Sequence, residues 1–214
     1  MLYKIPIETS ARHIHISEED FHKLFGKDAE LLEKKELSQP GQFLSNCRLT
    51  IKGPKGEFKN VSILGPFRKE TQVELSLTDT RKLGIPGVIR QSGDTKYTPG
   101  CTLIGPDGTE LDIDHGVIVA KRHIHMTPEE AIHMGVEDND LVCVITKSYE
   151  RAMIFADVVV RVSRSFRLAM HVDTDEANAF SGDSYPYGII VKLFEDKNYD
   201  LLTWMDELES GIYR

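Results

Sequence analysis

Two short segments concentrate side chains that can bind a metal ion. Residues 12–19 read RHIHISEE, and residues 122–130 read RHIHMTPEE. On a strand, side chains two residues apart point the same way. His13 and His15 can therefore reach one ion, and so can His123 and His125. Neutral imidazole suits zinc, copper, iron or nickel. One such motif is a weak signal, because two solvated histidines on an edge strand read identically. Its repetition gives it weight.

The two segments align without a gap, from Arg12 on Arg122 through Ser17 on Thr127 to Glu19 on Glu129, at an offset of 110. A weaker match follows at an offset of 97, FKNVSILGPFRKETQVELSLTD (58–79) on FADVVVRVSRSFRLAMHVDTDE (155–176). Its apolar register sets Phe58 on Phe155, Val61 on Val158 and Ile63 on Val160. The same register sets Glu74 on His171, a pairing that chemistry did not select. The surplus of copy one lies around residues 26–47, with the turn-prone Gln39-Pro40-Gly41-Gln42. The chain thus reads as a duplicated unit with two candidate ligand sets: His13, His15 and Glu74, then His123, His125 and His171.

Three protein ligands leave a coordination position open, as catalytic zinc sites do, whereas closed structural sites use four ligands rich in cysteine. The spacing therefore points to chemistry. His22, His115 and His133 have no such partners and read as surface residues or as supports behind a ligand. Part of a cupin pattern, His13-x-His15-x3-Glu19-x6-Gly26, is present, but position 7 is Ile7 and no PxG precedes His171. Glu18 and Glu19 are better explained as first-turn acids that complement a helix dipole. Arg68, after Gly65-Pro66-Phe67 and before Glu74, could hold an anion bidentately; by spacing alone it is equally a solvated charge after a turn.

Positioning these residues calls for strands that run into helices. Ile14 and Ile16 alternate with the histidines, the period of a strand. Ser17 followed by Asp20, and Thr127 followed by Pro128 and Glu130, read as helix N-caps, with Gly26 and Gly135 as stops. Further strand-like runs are 47–52, 61–64, 72–77, 116–120, 141–146, 155–162 and 167–172, separated by turn signals such as Gly53-Pro54 and Pro99-Gly100. Many short strands with few helices predict a mainly β fold with short α-helices. No Gly/Ser-rich linker separates the two copies.

The chain has 214 residues and a net charge of −8, which makes phosphate-backbone binding and nucleic acid a poor expectation. No apolar run approaches a membrane span, and the first residues lack a signal-peptide core. The three cysteines, Cys47, Cys101 and Cys143, form no CxxC pair and read as free thiols of a reducing compartment.

RHIHIS, QPGQF, the LGP-x-R-x5-E run of 64–74, VIVAKRHIHM and MHVDTDEAN together resemble the PduL-type phosphotransacylases, the phosphate propanoyltransferases, over about residues 5–180. The resemblance implies two β-barrel domains capped by helices. The first would be 12–120, the second 1–11 with 121–190, and 191–214 a C-terminal extension. It implies interconversion of acyl-CoA plus phosphate with acyl phosphate plus CoA, acetyl or propanoyl, by a zinc-dependent acyltransferase with two zinc ions per chain. By resemblance the ions take His13, His15 and Glu74, and His123, His125 and His171. Arg68 handles phosphate, and coenzyme A meets Thr9, Ser10, Lys55 and Asn178. A metal-dependent thioesterase or other hydrolase and a non-enzymatic metal-binding module are the rival readings.

Members housed in bacterial microcompartments carry a longer N-terminal extension than the twelve residues before His13. The expected location is the cytoplasm, with a microcompartment lumen and shell association as the alternative for a trimmed chain. Leu201, Trp204, Met205 and Leu208 follow helical spacing and are expected to dock on the chain's own core or in a homodimer.

Overall fold

The computed structural model describes residues 4–146, 151–180 and 186–191. In chain order the strands are β1 (Ile5–Ser10), β2 (His13–Ser17), β3 (Glu33–Glu36), β4 (Phe43–Lys52), β5 (Glu57–Arg68), β6 (Gln72–Leu75), β7 (Ile89–Arg90), β8 (Cys101–Ile104), β9 (Glu110–Ile113), β10 (Val117–Ala120), β11 (His123–Met126), β12 (Leu141–Thr146), β13 (Met153–Val162), β14 (Ala169–Asp173) and β15 (Tyr187–Val191). The helices are α1 (Glu18–Phe25), α2 (Leu77–Leu83), α3 (Pro128–Met134) and α4 (Thr174–Phe180). The fold is mainly β with short helices, as the sequence predicts. The helical spacing at Leu201–Leu208 falls outside the described residues.

The chain divides into two compact units. One comprises Thr9–Lys121 and Val172–Ala177. Its nine-stranded sheet runs β7-β10-β6-β2-β5-β4-β8-β9, with β3 paired to β4. Ile14, Ile16, Phe21, Leu24, Leu49, Ile51, Val61, Ile63 and Leu103 form a continuous buried core. Ile14 and Ile16 enter that core because they alternate with the histidines, so one strand serves both core and cluster. Gly65 admits the Phe43 ring where a side chain could not, since a Cβ there would lie 2.1 Å from Phe43 Cζ.

The other unit comprises Met1–Glu8, Arg122–His171 and Asn178–Arg214. It holds a closed six-stranded barrel, β1-β14-β11-β13-β12-β15, with β15 returning to pair with β1. Closure leaves no sheet edge. Ile5, Ile124, Met126, Val144, Val158, Val160 and Met170 are fully or almost fully buried.

The duplication is visible strand by strand. β2 pairs in parallel with β5, with Ile14 opposite Ile63, and β11 pairs in parallel with β13, with Ile124 opposite Val160. On its other side β2 pairs antiparallel with β6, and β11 pairs antiparallel with β14. The leading arginines match too: Arg12 lies 4.1 Å over the Phe58 ring, and Arg122 lies 5.4 Å over Phe155. These are the two phenylalanines that the sequence register superimposes.

Sequence reading carried the sixth strand to Leu77, but it ends at Leu75, and α2 starts two residues on. The Ser76 side chain accepts the Asp79 N–H at 3.2 Å and turns the chain into a helix. Asp173, the residue aligned with Ser76, accepts the Glu176 N–H at 2.8 Å in front of α4. Both helices follow the third-ligand strand directly, just as α1 and α3 follow the HxH strands.

Candidate metal centres

In the first centre His13 sits directly opposite Glu74 across the β2–β6 pairing. Because β2 alternates, His15 emerges beside His13 on the same side. One ligand atom from each of His13, His15 and Glu74 lies within 4.8 Å of the other two. All three residues are buried. The His13 Nδ1–H can donate to the Ala11 carbonyl at 2.9 Å, which turns Nε2 inward. His15 bonds the Leu64 backbone and places its own Nε2 only 3.2 Å from that of His13. The two Nε2 atoms thus face each other, and a cation between them could be held by both. Backbone anchoring of this kind also fixes ring orientation around a metal.

The charge states suit such an ion. Burial, reinforced by the neighbouring His13 and Arg68, pushes His15 down to about 3. Its imidazole is neutral, the ligating form. For Glu74 burial opposes ionisation, but His13, His15, the Ser92 hydroxyl and Arg68 outweigh it and hold the carboxyl below the usual carboxylate range. The donor set is thus two imidazoles, that of His15 held neutral, and one carboxylate. Glu74 Oε2 lies 3.5 Å from His13 Nε2.

The second centre repeats the plan on β11 and β14. His123 sits directly opposite His171, and His125 follows on the same side. Their ligand atoms again lie within 4.8 Å of one another. The His123 and His171 rings stack at 5.1 Å between centroids. The His125 ring lies 4.1 Å from that of Phe166. His171 Nδ1 lies 3.7 Å from a Glu8 carboxylate oxygen on β1. Burial, with His123, His171 and Arg161 nearby, pushes His125 down to about 2. Its Nδ1 is buried without a hydrogen-bond partner. A buried nitrogen left so is costly unless something binds it, and three imidazoles are a good set for a transition metal. Both clusters therefore fit an ion.

Arg68, the last residue of β5, lies beside the first centre and donates from Nη1 to Ser92 Oγ at 2.9 Å. Among the coenzyme A candidates, Thr9 and Ser10 close β1, Lys55 lies on the exposed β4–β5 turn and Asn178 on the exposed side of α4. The remaining histidines stand apart from the clusters: His22 bonds Gly26, His115 bonds Asp114, and His133 is exposed.

Sequence reasoning missed Gln72 and Ser92. Gln72 Nε2 donates to Glu74 Oε1 at 2.6 Å, and Ser92 Oγ donates to the same oxygen at 2.7 Å. Gln72 stands two residues before Glu74 on a strand, so the period-2 rule could have found it. Ser92 lies in a turn, and nothing in its local sequence tells which strand it faces.

No helix among the described residues is long and apolar enough to cross a membrane. A family model described as phosphate propanoyltransferase matches residues 6–183. A phosphate propanoyltransferase of Thermotoga maritima is 53% identical over 175 residues, 82% of this chain and 83% of the relative. One from Sebaldella termitidis is 51% identical over 87% of each chain. One from Salmonella typhimurium is 48% identical over 84% of this chain and 85% of the relative.

Proposed function

The chain belongs to the phosphate propanoyltransferase family, and from that premise we propose that it moves an acetyl or propanoyl group between coenzyme A and phosphate with one metal ion, zinc by preference, in each histidine cluster. The observation that carries this reading is Arg68: its guanidinium is tied through Ser92 to Glu74, a member of a buried ligand set. A purely structural metal site has no need of an arginine there.

When bound, the ions supply Lewis acidity, which stabilises a departing thiolate and polarises a carbonyl or phosphate oxygen. The chain's own residues do the rest. Arg68 grips phosphate with two parallel N–H donors and aims one oxygen at the acyl carbonyl carbon. That oxygen forms the new C–O bond, the C–S bond breaks, and coenzyme A leaves as thiolate. Burial keeps the His15 and His125 imidazoles neutral, so neither takes a proton from phosphate. Thr9, Ser10, Lys55 and Asn178 contact the coenzyme.

No protein nucleophile is needed. Burial raises the thiol of Cys47 and that of Cys143, and pushes Cys101 up to about 12, so none is a ready thiolate at neutral pH.

The test is free-thiol release from acetyl- and propanoyl-CoA by metal-replete protein. Release should require phosphate. Arg68→Ala should lower it by ~10²-fold or more while metal content stays unchanged. Thiol release without phosphate would replace the reading with a hydrolase. A folded Arg68→Ala or His123→Ala protein of unaltered rate would make the clusters a non-enzymatic metal module. The two substrates differ by one methylene, so their kcat/KM values should differ by roughly 10–200-fold.

A further inference from the structure

Glu74 has two carboxylate oxygens, and the chain treats them differently. Oε1 accepts from both Gln72 Nε2 and Ser92 Oγ. Oε2 lies 3.5 Å from His13 Nε2 and accepts from neither of these donors, whereas Oε1, which also lies 3.7 Å from His15 Nε2, carries both. The orientation of this network can be deduced. The Gly93 N–H donates to Gln72 Oε1 at 2.7 Å, which fixes which end of that amide is oxygen. The other end, Nε2, donates to Glu74 Oε1 and also to Ser92 Oγ at 3.0 Å. Arg68 donates to Ser92 Oγ as well. The serine oxygen thus accepts twice from groups that can only donate, and its single proton must go to Glu74.

The backbone holds the serine in place. Residues 91–94 form a β-turn closed by Asp94 N–H to the Gln91 carbonyl at 3.0 Å. Gly93 occupies the third position with φ +99°, a value suited to glycine there. The turn follows β7, which pairs with β10 inside the same sheet. Turn and third-ligand strand are therefore parts of one unit.

We propose that Ser92 and Gln72 form a clamp that saturates Glu74 Oε1, leaves Oε2 as the single ligand atom for the metal, and couples Arg68 to that ligand through the Ser92 hydroxyl. Ser92 and Gln72 are positioning residues: they touch neither substrate nor ion and act through Glu74 and Arg68. The inference rests on the proposed metal-dependent phosphate chemistry. A clamp of this kind does two things. It fixes the carboxylate against swinging to bidentate binding, which keeps a coordination position open. It also means that loss of the hydroxyl removes one bond that holds Arg68 and leaves Glu74 short of one donor, so metal affinity and phosphate affinity weaken together.

The experiment uses the full chain with His123→Ala and His125→Ala, so that only the first centre binds an ion. Cobalt(II) affinity is read from its visible absorption, without any assay of turnover. Ser92→Ala should weaken cobalt binding by ~10–100-fold, the usual cost of removing a partner of a metal ligand. Ser92→Thr, which keeps the hydroxyl, should restore most of it, and Gln72→Met should mimic the alanine change. In the otherwise unaltered protein Ser92→Ala should also raise KM for phosphate more than KM for acyl-CoA. Cobalt affinity within ~2-fold of the parent for both Ser92→Ala and Gln72→Met overturns the clamp, and so does a threonine variant as weak as the alanine one. Should Ser92→Ala lose its fold by circular dichroism, Gln72→Met alone decides. Failure of phosphate-dependent turnover in the unaltered protein with these cobalt shifts intact would overturn the proposed function and leave the clamp standing.

Discussion

The two centres are built on one strand register and finished differently. At the first, the residue opposite the leading histidine is Glu74, a carboxylate among hydrogen-bond donors. At the second it is His171, an imidazole stacked on its neighbour, with Phe166 closing over His125. An ion in the first would have part of its charge offset by Glu74. An ion in the second would keep its full charge among neutral rings and attract an anion more strongly. Duplication thus supplies the frame, and one register position with its surroundings sets the electrostatic character. Arg68 adds to the contrast, because the residue aligned with it in the second copy is Ser165.

The largest expected effect comes from deleting a ligand in one copy at a time. His13→Ala should empty the first centre and leave the second filled, and His125→Ala the reverse, so bound metal falls from about two ions to about one per chain in each case. Turnover should fall ~10³-fold or more in both, if each ion takes part in the reaction. Metal analysis beside the thiol assay checks this. A variant that loses both ions at once would show the centres to be coupled rather than independent.

An intermediate effect is expected from pH in the metal-stripped protein. His15 is held down to about 3 and His125 to about 2, against an ordinary value of 6.5. Between those limits the unfolded chain binds protons that the folded chain refuses, so stability rises with pH. The contribution is fully present above about pH 6.5 and is lost as pH falls toward the folded values. Thermal melts across that range should show a falling Tm, and His125→Phe should flatten the fall. The contrast between copies sharpens here, because Glu74 favours a charged His15 whereas burial, His123, His171 and Arg161 all disfavour a charged His125. His15→Phe should therefore flatten the curve less.

The smallest effect concerns the helix starts. Ser17 caps α1 and is also bonded to Thr71, whereas Thr127 caps α3 in a reciprocal box with Glu130. Replacing either by alanine should cost about 1 kcal/mol, read by chemical denaturation. Thr127→Ala should be the costlier of the two, since the Thr127 hydroxyl both accepts the Glu130 N–H and donates to the Glu130 carboxylate.

Much of this contrast was legible in the sequence, for a physical reason. Strand periodicity is local, so the pairing of Glu74 with His171 could be read from apolar positions alone. Ser17 and Thr127 could be read because a cap acts within one turn. The caps of α2 and α4 were equally local, in Ser76-x-x-Asp79 and Asp173-x-x-Glu176, but the apolar run into Leu77 masked the first. Ser92 was not legible. Its role depends on a turn reaching across the sheet to β6, and such approaches are set by tertiary packing. The difference between a closed barrel in one unit and a nine-stranded sheet in the other has the same origin: it depends on whether β15 returns to β1, a long-range pairing.

The parallel pairing of β2 with β5, and of β11 with β13, has a consequence for how the two clusters would come to hold ions. Parallel neighbours cannot be joined by a tight turn, and each third ligand arrives only with the strand beyond. An emerging chain presents an HxH pair long before Glu74 or His171 exists to complete it. Early metal capture would be two-coordinate and weak, and firm retention would wait for distant strands to close. Loading of an ion at either cluster would therefore be a late event in the life of the chain, and an ion held tightly would certify that its half of the molecule has finished folding.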